Sequence, residues 1–329
     1  MYHYFVYGFH IESEIELPPL VTTHLADQQR PDLRIRSAHD DEPLCHDLVS
    51  GLSISHTLTG KSPVAMIRLH WRSVGCFALI TQIGLSDMIV RPIPDLEPAI
   101  LANFIINNAL GIYVCVHPQT FVFHASAIHL RDDYRAGSPS GGIVFAGRSG
   151  AGKSTLAAAL IARGHTLLAD DLAVIDLDTS QDSRHPDILP AFPQLKLDDL
   201  ALQQLNLDPA ALPHIHSAEN KRAYRPACAP NAAPIRALYL LDDDDAPAPS
   251  VEPLTKQEAF AAFIGASYNA HLQGIFNVDV LAALGRTKAF MGDCAALAQN
   301  IPVRRLKRPR DLSRLSAVVD CIEADVKTL

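Results

Sequence analysis

Residues 147–155 have the sequence Gly147-Arg148-Ser149-Gly150-Ala151-Gly152-Lys153-Ser154-Thr155, a complete phosphate-binding loop of the form G-x-x-x-x-G-K-[ST]. The apolar run from Ile143 to Ala146 predicts a buried strand before the loop, and the Ala- and Leu-rich stretch from Lys153 to Arg163 predicts a helix after it. The alternative is a glycine-rich turn with a chance Lys-Ser pair. Because strand, loop and helix signals agree, the sequence favours the phosphate-binding interpretation.

The residue types in this loop suit a nucleotide with Mg²⁺. Glycines let the backbone turn tightly, so that amide N–H groups face phosphate oxygens, and the helix N-terminus adds its partial positive charge. Lys153 would place a positive charge at the β and γ phosphates, and the Ser154 hydroxyl would bind Mg²⁺. We therefore assign nucleotide binding to Gly147, Arg148, Ser149, Gly150, Ala151, Gly152, Lys153, Ser154 and Thr155.

Composition limits the classes of function. The chain has 329 residues, enough for about two domains, and 48% of them are hydrophobic, which allows each domain a core. The net charge of −8 argues against a general nucleic-acid binder, since contacts with phosphates favour an excess of Lys and Arg. The basic run 304–310 is the local exception, and we expect it to be a solvated face flanking a helix rather than a site for an acidic ligand.

The N-terminal segment lacks the pattern of a secretory signal, and we find no apolar run approaching the roughly 18 residues that span a bilayer. The six cysteines are scattered, with no Cys-x-x-Cys pair, and we expect them to be reduced. These observations predict a cytoplasmic protein that has no membrane partner.

The hydrophobic pattern divides the chain at about residue 117. From Tyr2 to about Val90, short alternating or β-branched segments separated by Pro, Gly, Asp and Ser predict a β-rich domain. The apolar stretch from Glu97 to about His117 predicts one buried helix that connects the domains. The order of strand, helix and strand around the loop predicts a nucleotide-binding core. We therefore predict an α/β protein with an N-terminal domain at 1–117 and a P-loop domain at 118–329.

Two adjacent acids, Asp170 and Asp171, follow the strand that comes directly after the loop helix. Because adjacent strand residues point to opposite faces, one carboxylate could share Mg²⁺ with Ser154 while the other takes a proton from a hydroxyl acceptor. The alternative is an acidic turn between Leu168 and Leu172.

A family resemblance rests on the stretch from Gly147 to Asp171, which contains the loop, then Arg163-Gly164-His165, then Leu168-Ala169-Asp170-Asp171. It resembles the catalytic core of HPr kinase/phosphorylase, the bacterial enzyme that phosphorylates a serine of a small carrier protein. That family also carries a histidine on the strand before the loop, which His124 matches. The resemblance implies ATP as donor and Lys153, Asp170 and His124 as catalytic residues. Asp170 would be the general base, and His124 would lie near the γ-phosphate and Asp170. Asp171 and Ser154 would be the Mg²⁺ ligands. From the residues alone, a strand histidine is more often structural.

The sequence also departs from that family. The region from Leu189 to Leu197 lacks the Glu-, Arg- and Gly-rich segment tied to the reverse, phosphorolytic reaction, and the N-terminal domain does not look like that of the carrier-protein kinase. The chain is more similar to the HPr-kinase-related proteins found with lasso peptide biosynthesis enzymes, which phosphorylate a hydroxyl of the peptide precursor, typically its C-terminal serine.

A further group of cations, Lys221 and Arg222, lies in a polar stretch and could bind phosphates or an acidic peptide terminus, although exposed bases are common. Taken together, the sequence predicts an ATP-dependent serine kinase that acts on a peptide or small protein and can form a homo-oligomer. The alternatives are an HPr-type carrier-protein kinase, a small-metabolite kinase and a nucleotide-gated regulator without catalysis.

Overall fold

The computed structural model describes residues 1–23, 30–42, 44, 50–59, 62–81, 85–131, 141–178 and 186–329. It is a mixed α/β structure with mixed sheets, which confirms the expected α/β class. Two compact units are present. The first comprises Met1–His117, His216–Ala218 and Leu272–Thr287, and the second comprises Pro118–Ile215, Glu219–His271 and Lys288–Leu329. The first unit thus extends beyond residues 1–117 by two later segments.

The first unit contains a seven-stranded sheet. Its strands are β1 (Tyr2–Val6), β2 (Phe9–Ser13), β3 (Leu33–Ser37), β4 (Gly51–Thr59), β5 (Ser62–Trp71), β6 (Gly75–Thr81) and β7 (Ser86–Pro92). They lie in the order β1-β2-β3-β7-β6-β5-β4, in which β3 is parallel to both of its neighbours and the other pairs are antiparallel. In β3, Leu33 and Ile35 are buried while Arg34 and Arg36 are less so, which is the alternation that one covered sheet face requires.

One continuous helix follows the sheet. It consists of α1 (Pro98–Phe104), a π-helical turn (Ile105–Ala109) and α2 (Leu110–Val116), which confirms the expected buried helix. This helix has 19 residues with a mean hydropathy of 1.8, so it is long and apolar enough to cross a membrane, and the expectation that no apolar run approaches this length is wrong. It is 61% buried inside the protein, as the core helix of a soluble protein also is.

The remaining strands belong to the second unit, and the later helices are divided between the two units. The strands are β8 (Thr120–Phe123), β9 (Ala125–His129), β10 (Gly142–Ala146), β11 (Thr166–Ala169), β12 (Ala173–Asp176), β13 (Asp187–Leu189), β14 (Leu195–Leu197), β15 (Arg222–Tyr224), β16 (Ala233–Asp245), β17 (Ser250–Pro253) and β18 (Val303–Arg308). The helices are α3 (Lys153–Ala162), α4 (Asp199–Gln204), α5 (Lys256–Ala266), α6 (Tyr268–Phe276), α7 (Val280–Ala283), α8 (Thr287–Asn300) and α9 (Leu315–Val326).

A nine-stranded sheet forms the centre of the second unit. Seven strands lie in the order β11-β9-β10-β16-β13-β12-β8, and β18, which pairs with β16, carries β17. Alternate residues of β10 contribute to two hydrophobic cores on opposite faces of the sheet. Ile143 and Phe145 pack with apolar residues of α3 and α9. Val144 and Ala146 pack with apolar residues of α5 and α8. Because helices cover both faces of the sheet, β10 is buried at every position. The glycine-rich loop follows the carboxyl end of this strand.

The basic run 304–310 differs from expectation. Most of it forms strand β18, which pairs parallel with β16 and antiparallel with β17, rather than a face flanking a helix. Arg304 lies 3.2 Å from Asp325, and Lys307 lies 2.8 Å from Glu252, so these two cations of the run form ion pairs. These pairs join β18 to its neighbours within the second unit.

Candidate functional site

The glycine-rich loop lies between β10 and α3, as the sequence predicts, with Gly147 to Gly152 in the turn and Lys153 to Thr155 in the first helical turn. Gly150 and Gly152 have φ of 77° and 82°, in the left-handed region that disfavours any residue with a Cβ. Gly152 is the N-cap of α3 and makes no side-chain cap, so no capping side chain competes for the first amides of the helix, which face the loop as at any helix N-terminus. This backbone geometry fits a cradle for an anion.

Lys153 is folded back over the start of the loop. Its ammonium donates hydrogen bonds to the carbonyl oxygens of Gly147 at 3.0 Å and Arg148 at 3.1 Å, and the residue is 7% exposed. Burial lowers the pKa of this lysine from its ordinary value, and the nearby Asp171 and Asp170 partly offset that effect. A phosphate group near the first loop residues would therefore meet a lysine that is already in place.

Asp170 is enclosed by hydrogen-bond donors. Its Oδ1 accepts from Ser126 Oγ at 2.6 Å and from Ser154 Oγ at 2.9 Å, and its Oδ2 accepts from the backbone N–H of Lys196 at 3.2 Å. The residue is 4% exposed, and burial followed by the neighbouring Asp171 raises its pKa. Asp170 is thus hydrogen-bonded directly to the loop serine, and its burial prevents a bulky second substrate from contacting its carboxylate.

Asp171 has a different environment. It lies between β11 and β12 with φ of 64°, so the premise that both acids alternate along a strand is wrong. The backbone N–H of Ala125 donates to the Asp171 carbonyl at 3.2 Å, and that of Leu172 donates to the Asp170 carbonyl at 2.8 Å, which holds this bend beside the β8–β9 junction. The Asp171 side chain is 26% exposed, so another molecule can contact it.

Lys196 is a member of this group that the sequence analysis did not identify. Its ammonium lies 2.7 Å from Asp171 Oδ2, and its side chain is 11% exposed. Burial raises the pKa of Asp171, but Lys196 more than offsets this effect and lowers the pKa to about 2. The short β14–β15 pair brings Lys196 to the acids from a distant part of the chain, and a single lysine in a strand of three residues carries no sequence signal of such a role.

His124 follows β8 and stacks on His271, with ring centroids 4.2 Å apart and ring planes 5° from parallel. Burial, then Lys153, lowers the pKa of His124 to about 3, and burial likewise lowers that of His271. His124 is therefore neutral near pH 7, and the pKa of His271 is shifted in the same direction. The charge of Asp171 also acts on both histidines, which places the stacked pair close to the acid and the loop lysine. His271 was not identified from the sequence, because it is distant along the chain and belongs to no motif.

A cavity of about 360 Å³ opens beside the loop. Its walls are formed by His124, Gly147, Arg148, Ser149, Leu240, Ala262, Gly265, Ala266, Ser267, Ala270 and His271. The volume falls in the range of small-ligand sites.

The two predicted cations differ in placement. Lys221 is exposed and close enough for its charge to affect the pKa of both Lys153 and Asp171, which fits a role at the loop. Arg222 instead donates to Asp199 Oδ1 at 3.0 Å and to the Leu212 carbonyl at 3.1 Å. These contacts give Arg222 a structural role near α4, and they do not bring it to the loop.

Ser154 and Asp170 bring together two oxygen donors that could bind a divalent cation. Within the part of the chain that the structure describes, no group of three or more His, Cys, Asp or Glu side chains is arranged to hold a metal. Mg²⁺ in a nucleotide site binds one or two protein oxygens together with phosphates and waters, so it does not need such a group. The donor set of Ser154 and Asp170 therefore fits Mg²⁺ bound along with a nucleotide.

No family model matches this chain, and no curated protein matches it.

Proposed function

We propose that this chain is an ATP-dependent kinase that transfers the γ-phosphoryl group to a serine hydroxyl of a peptide or small protein. The observation that carries the proposal is the hydrogen bond of 2.9 Å between Ser154 and Asp170, with the reachable carboxylate of Asp171 next in the chain. A loop serine joined to an acid is the arrangement that holds a nucleotide-bound Mg²⁺ in P-loop proteins. A second, accessible acid supplies what transfer to a hydroxyl requires and nucleotide binding alone does not.

The contacts of the two acids support a division of roles that differs from the one that the resemblance implies. The resemblance implies Asp170 as the base and Asp171 as the ligand, but Asp170 is buried and accepts three hydrogen bonds. We therefore assign Ser154 and Asp170 to Mg²⁺ and Asp171 to the acceptor hydroxyl, which it orients and whose proton it accepts as the bond to phosphorus forms. Mg²⁺, when bound, neutralises charge on the phosphates.

The other residues have supporting roles in this proposal. Lys153 and the loop amides stabilise negative charge on the transferring phosphoryl group, and Lys221 adds a further positive charge. His124 is neutral, so it can donate or accept a hydrogen bond near the reacting atoms without adding charge. Lys196 holds the Asp171 carboxylate in position.

Replacing Lys196 tests this positioning role. Lys196→Met removes the charge, and we expect the kcat for transfer to fall about 10²-fold, since displacing a reacting group by about 1 Å has this effect. Lys196→Arg keeps a cation and should recover at least part of the loss, whereas a purely apolar packing role would favour Met over Arg. Steady-state kinetics with both variants measure this, and a kcat unchanged in Lys196→Met would contradict the role.

The finer features of the proposal follow the family resemblance. We propose an HPr-kinase-like P-loop domain, a cytoplasmic location, and the C-terminal serine of a lasso peptide precursor as acceptor. The absence of a Glu-, Arg- and Gly-rich segment before Leu197 supports transfer in the forward direction only.

The proposal is tested by incubating the protein with γ-labelled ATP, Mg²⁺ and synthetic peptides that end in serine or in alanine. We expect label on the serine peptide and none on the alanine peptide. Label on sugars or free amino acids would instead identify a small-metabolite kinase. If the protein bound ATP tightly but labelled no product, and Asp171→Asn bound ATP equally well, the protein would be a regulator. This result would refute the kinase proposal.

A further inference from the structure

We propose that the cavity beside the loop, formed by residues of the loop, the β8–β9 junction, β16, α5 and α6, binds the acceptor, and that it takes a serine residue of a peptide. This inference rests on the proposed kinase function and adds the place and the size of the second substrate. It uses four features: the position of the cavity along the loop, the small residues in its wall, the stacked histidines, and the accessible acid.

The position of the cavity identifies which end of the nucleotide it meets. In a P-loop the backbone amides hold the α and β phosphates, and the lysine reaches the β and γ phosphates. Here the Lys153 ammonium contacts Gly147 and Arg148, and these two residues also line the cavity. The cavity therefore begins at the γ-phosphate end of the loop, where the acceptor must enter.

The wall opposite the loop consists of small residues where α5 ends and α6 begins. Ala262, Gly265, Ala266 and Ala270 leave space that larger side chains would fill. A Cβ added at Gly265 would meet nothing within 4 Å. The bend between the helices is fixed by Ser267, which is 2% exposed and whose hydroxyl donates to the Ile264 carbonyl and accepts from the Ala270 N–H. This wall is a fixed, apolar surface suited to the aliphatic part of a small residue.

The polar side of the cavity contains the stacked rings of His124 and His271. The charges of Lys153 and Asp171 act on both rings, so the loop lysine and the accessible acid lie near this side of the cavity. A serine in the cavity can thus place its methylene against the alanines while its hydroxyl faces the stacked histidines, which lie within range of the Asp171 charge. With about 360 Å³ available, the serine and a small neighbour fit.

Two glycine variants provide a matched test. Gly265→Leu places a side chain into the cavity, whereas Gly292→Leu in α8 places one on an exposed helix position that also has open space around it. Both changes replace a helical glycine with a better helix former, so both variants should fold. We expect Gly265→Leu to weaken peptide binding about tenfold or more, and Gly292→Leu to leave it unchanged.

The measurement is fluorescence anisotropy of a labelled synthetic peptide that ends in serine, with the Kd for ATP determined separately by calorimetry. Peptide affinity lost only in Gly265→Leu, with ATP affinity retained, supports the inference. Equal peptide affinity in all three proteins, no peptide binding by the unchanged protein, or a loss of ATP affinity in Gly265→Leu would overturn it. If the peptide binds in the cavity but receives no phosphate, the kinase proposal fails and the acceptor role of the cavity fails with it. If the peptide is phosphorylated but Gly265→Leu leaves its affinity unchanged, this inference alone fails.

Discussion

Asp171→Asn is expected to lower the kcat of phosphoryl transfer about 10³-fold, within the range found for loss of a general base. Asparagine has nearly the size of aspartate and tolerates the left-handed φ of 64° at this position, so the backbone should not change. It cannot accept the proton of the acceptor hydroxyl. Because the Ser154 hydroxyl donates to Asp170 rather than to Asp171, ATP affinity in the presence of Mg²⁺ should stay within about threefold.

Asp170→Asn is the matched control, and its expected result is different. This variant loses the charge that we assign to Mg²⁺, so ATP affinity should fall in the presence of Mg²⁺ and change little without it. Calorimetric titration of both variants with ATP, with and without Mg²⁺, separates the two roles. If Asp170→Asn retained its Mg²⁺-dependent affinity while Asp171→Asn lost it, the roles implied by the resemblance would be restored and our assignment would be wrong.

The backbone around the loop could be predicted from the sequence because local signals determine it. Four apolar residues, a glycine-rich turn and an Ala- and Leu-rich stretch correspond to β10, the loop and α3. The positive φ of Gly150 and Gly152 explains why glycine stands there. The buried helix at Pro98–Val116 was likewise evident, although its length as a possible membrane span was underestimated.

The division of roles between the acids could not be predicted from the sequence, because it depends on contacts between distant segments. The donors to Asp170 include Ser126 on β9 and Lys196 on β14, and neither belongs to a local motif. The positive φ of Asp171 directs its side chain away from the alternation of a strand, and the sequence raised this bend only as the alternative of an acidic turn. Two adjacent carboxylates therefore have unlike surroundings that only the fold creates.

Residues far along the chain were also misjudged where charge or composition was the main signal. The basic run at 304–310 overlaps strand β18, in which Val303 and Leu306 are buried, but its cations obscured that pattern. Arg222 resembled a phosphate ligand in a polar loop, whereas Asp199 binds it. A positive charge alone does not distinguish an arginine that binds substrate from one that forms an ion pair.

Lys153→Met is expected to lower phosphoryl transfer by about 10³-fold or more, since it removes a preorganised charge from the transferring group. ATP affinity should also fall, because the same ammonium meets the phosphates before the reaction. Unlike loss of Asp171, this change therefore affects both kcat and the Kd for ATP, and kinetics with calorimetric titration measure the two effects.

The folded state should tolerate this substitution, which makes the test specific. Lys153 is buried, and its ammonium donates to the carbonyl oxygens of two loop residues, which carry no formal charge. Burying a cation in this way costs free energy that methionine, similar in length and apolar, does not incur. The melting temperature of Lys153→Met should therefore equal or exceed that of the unchanged protein. A large drop in melting temperature would show that Lys153 serves mainly to hold the loop together. That result would contradict a role for Lys153 in phosphoryl transfer as the reason for its burial.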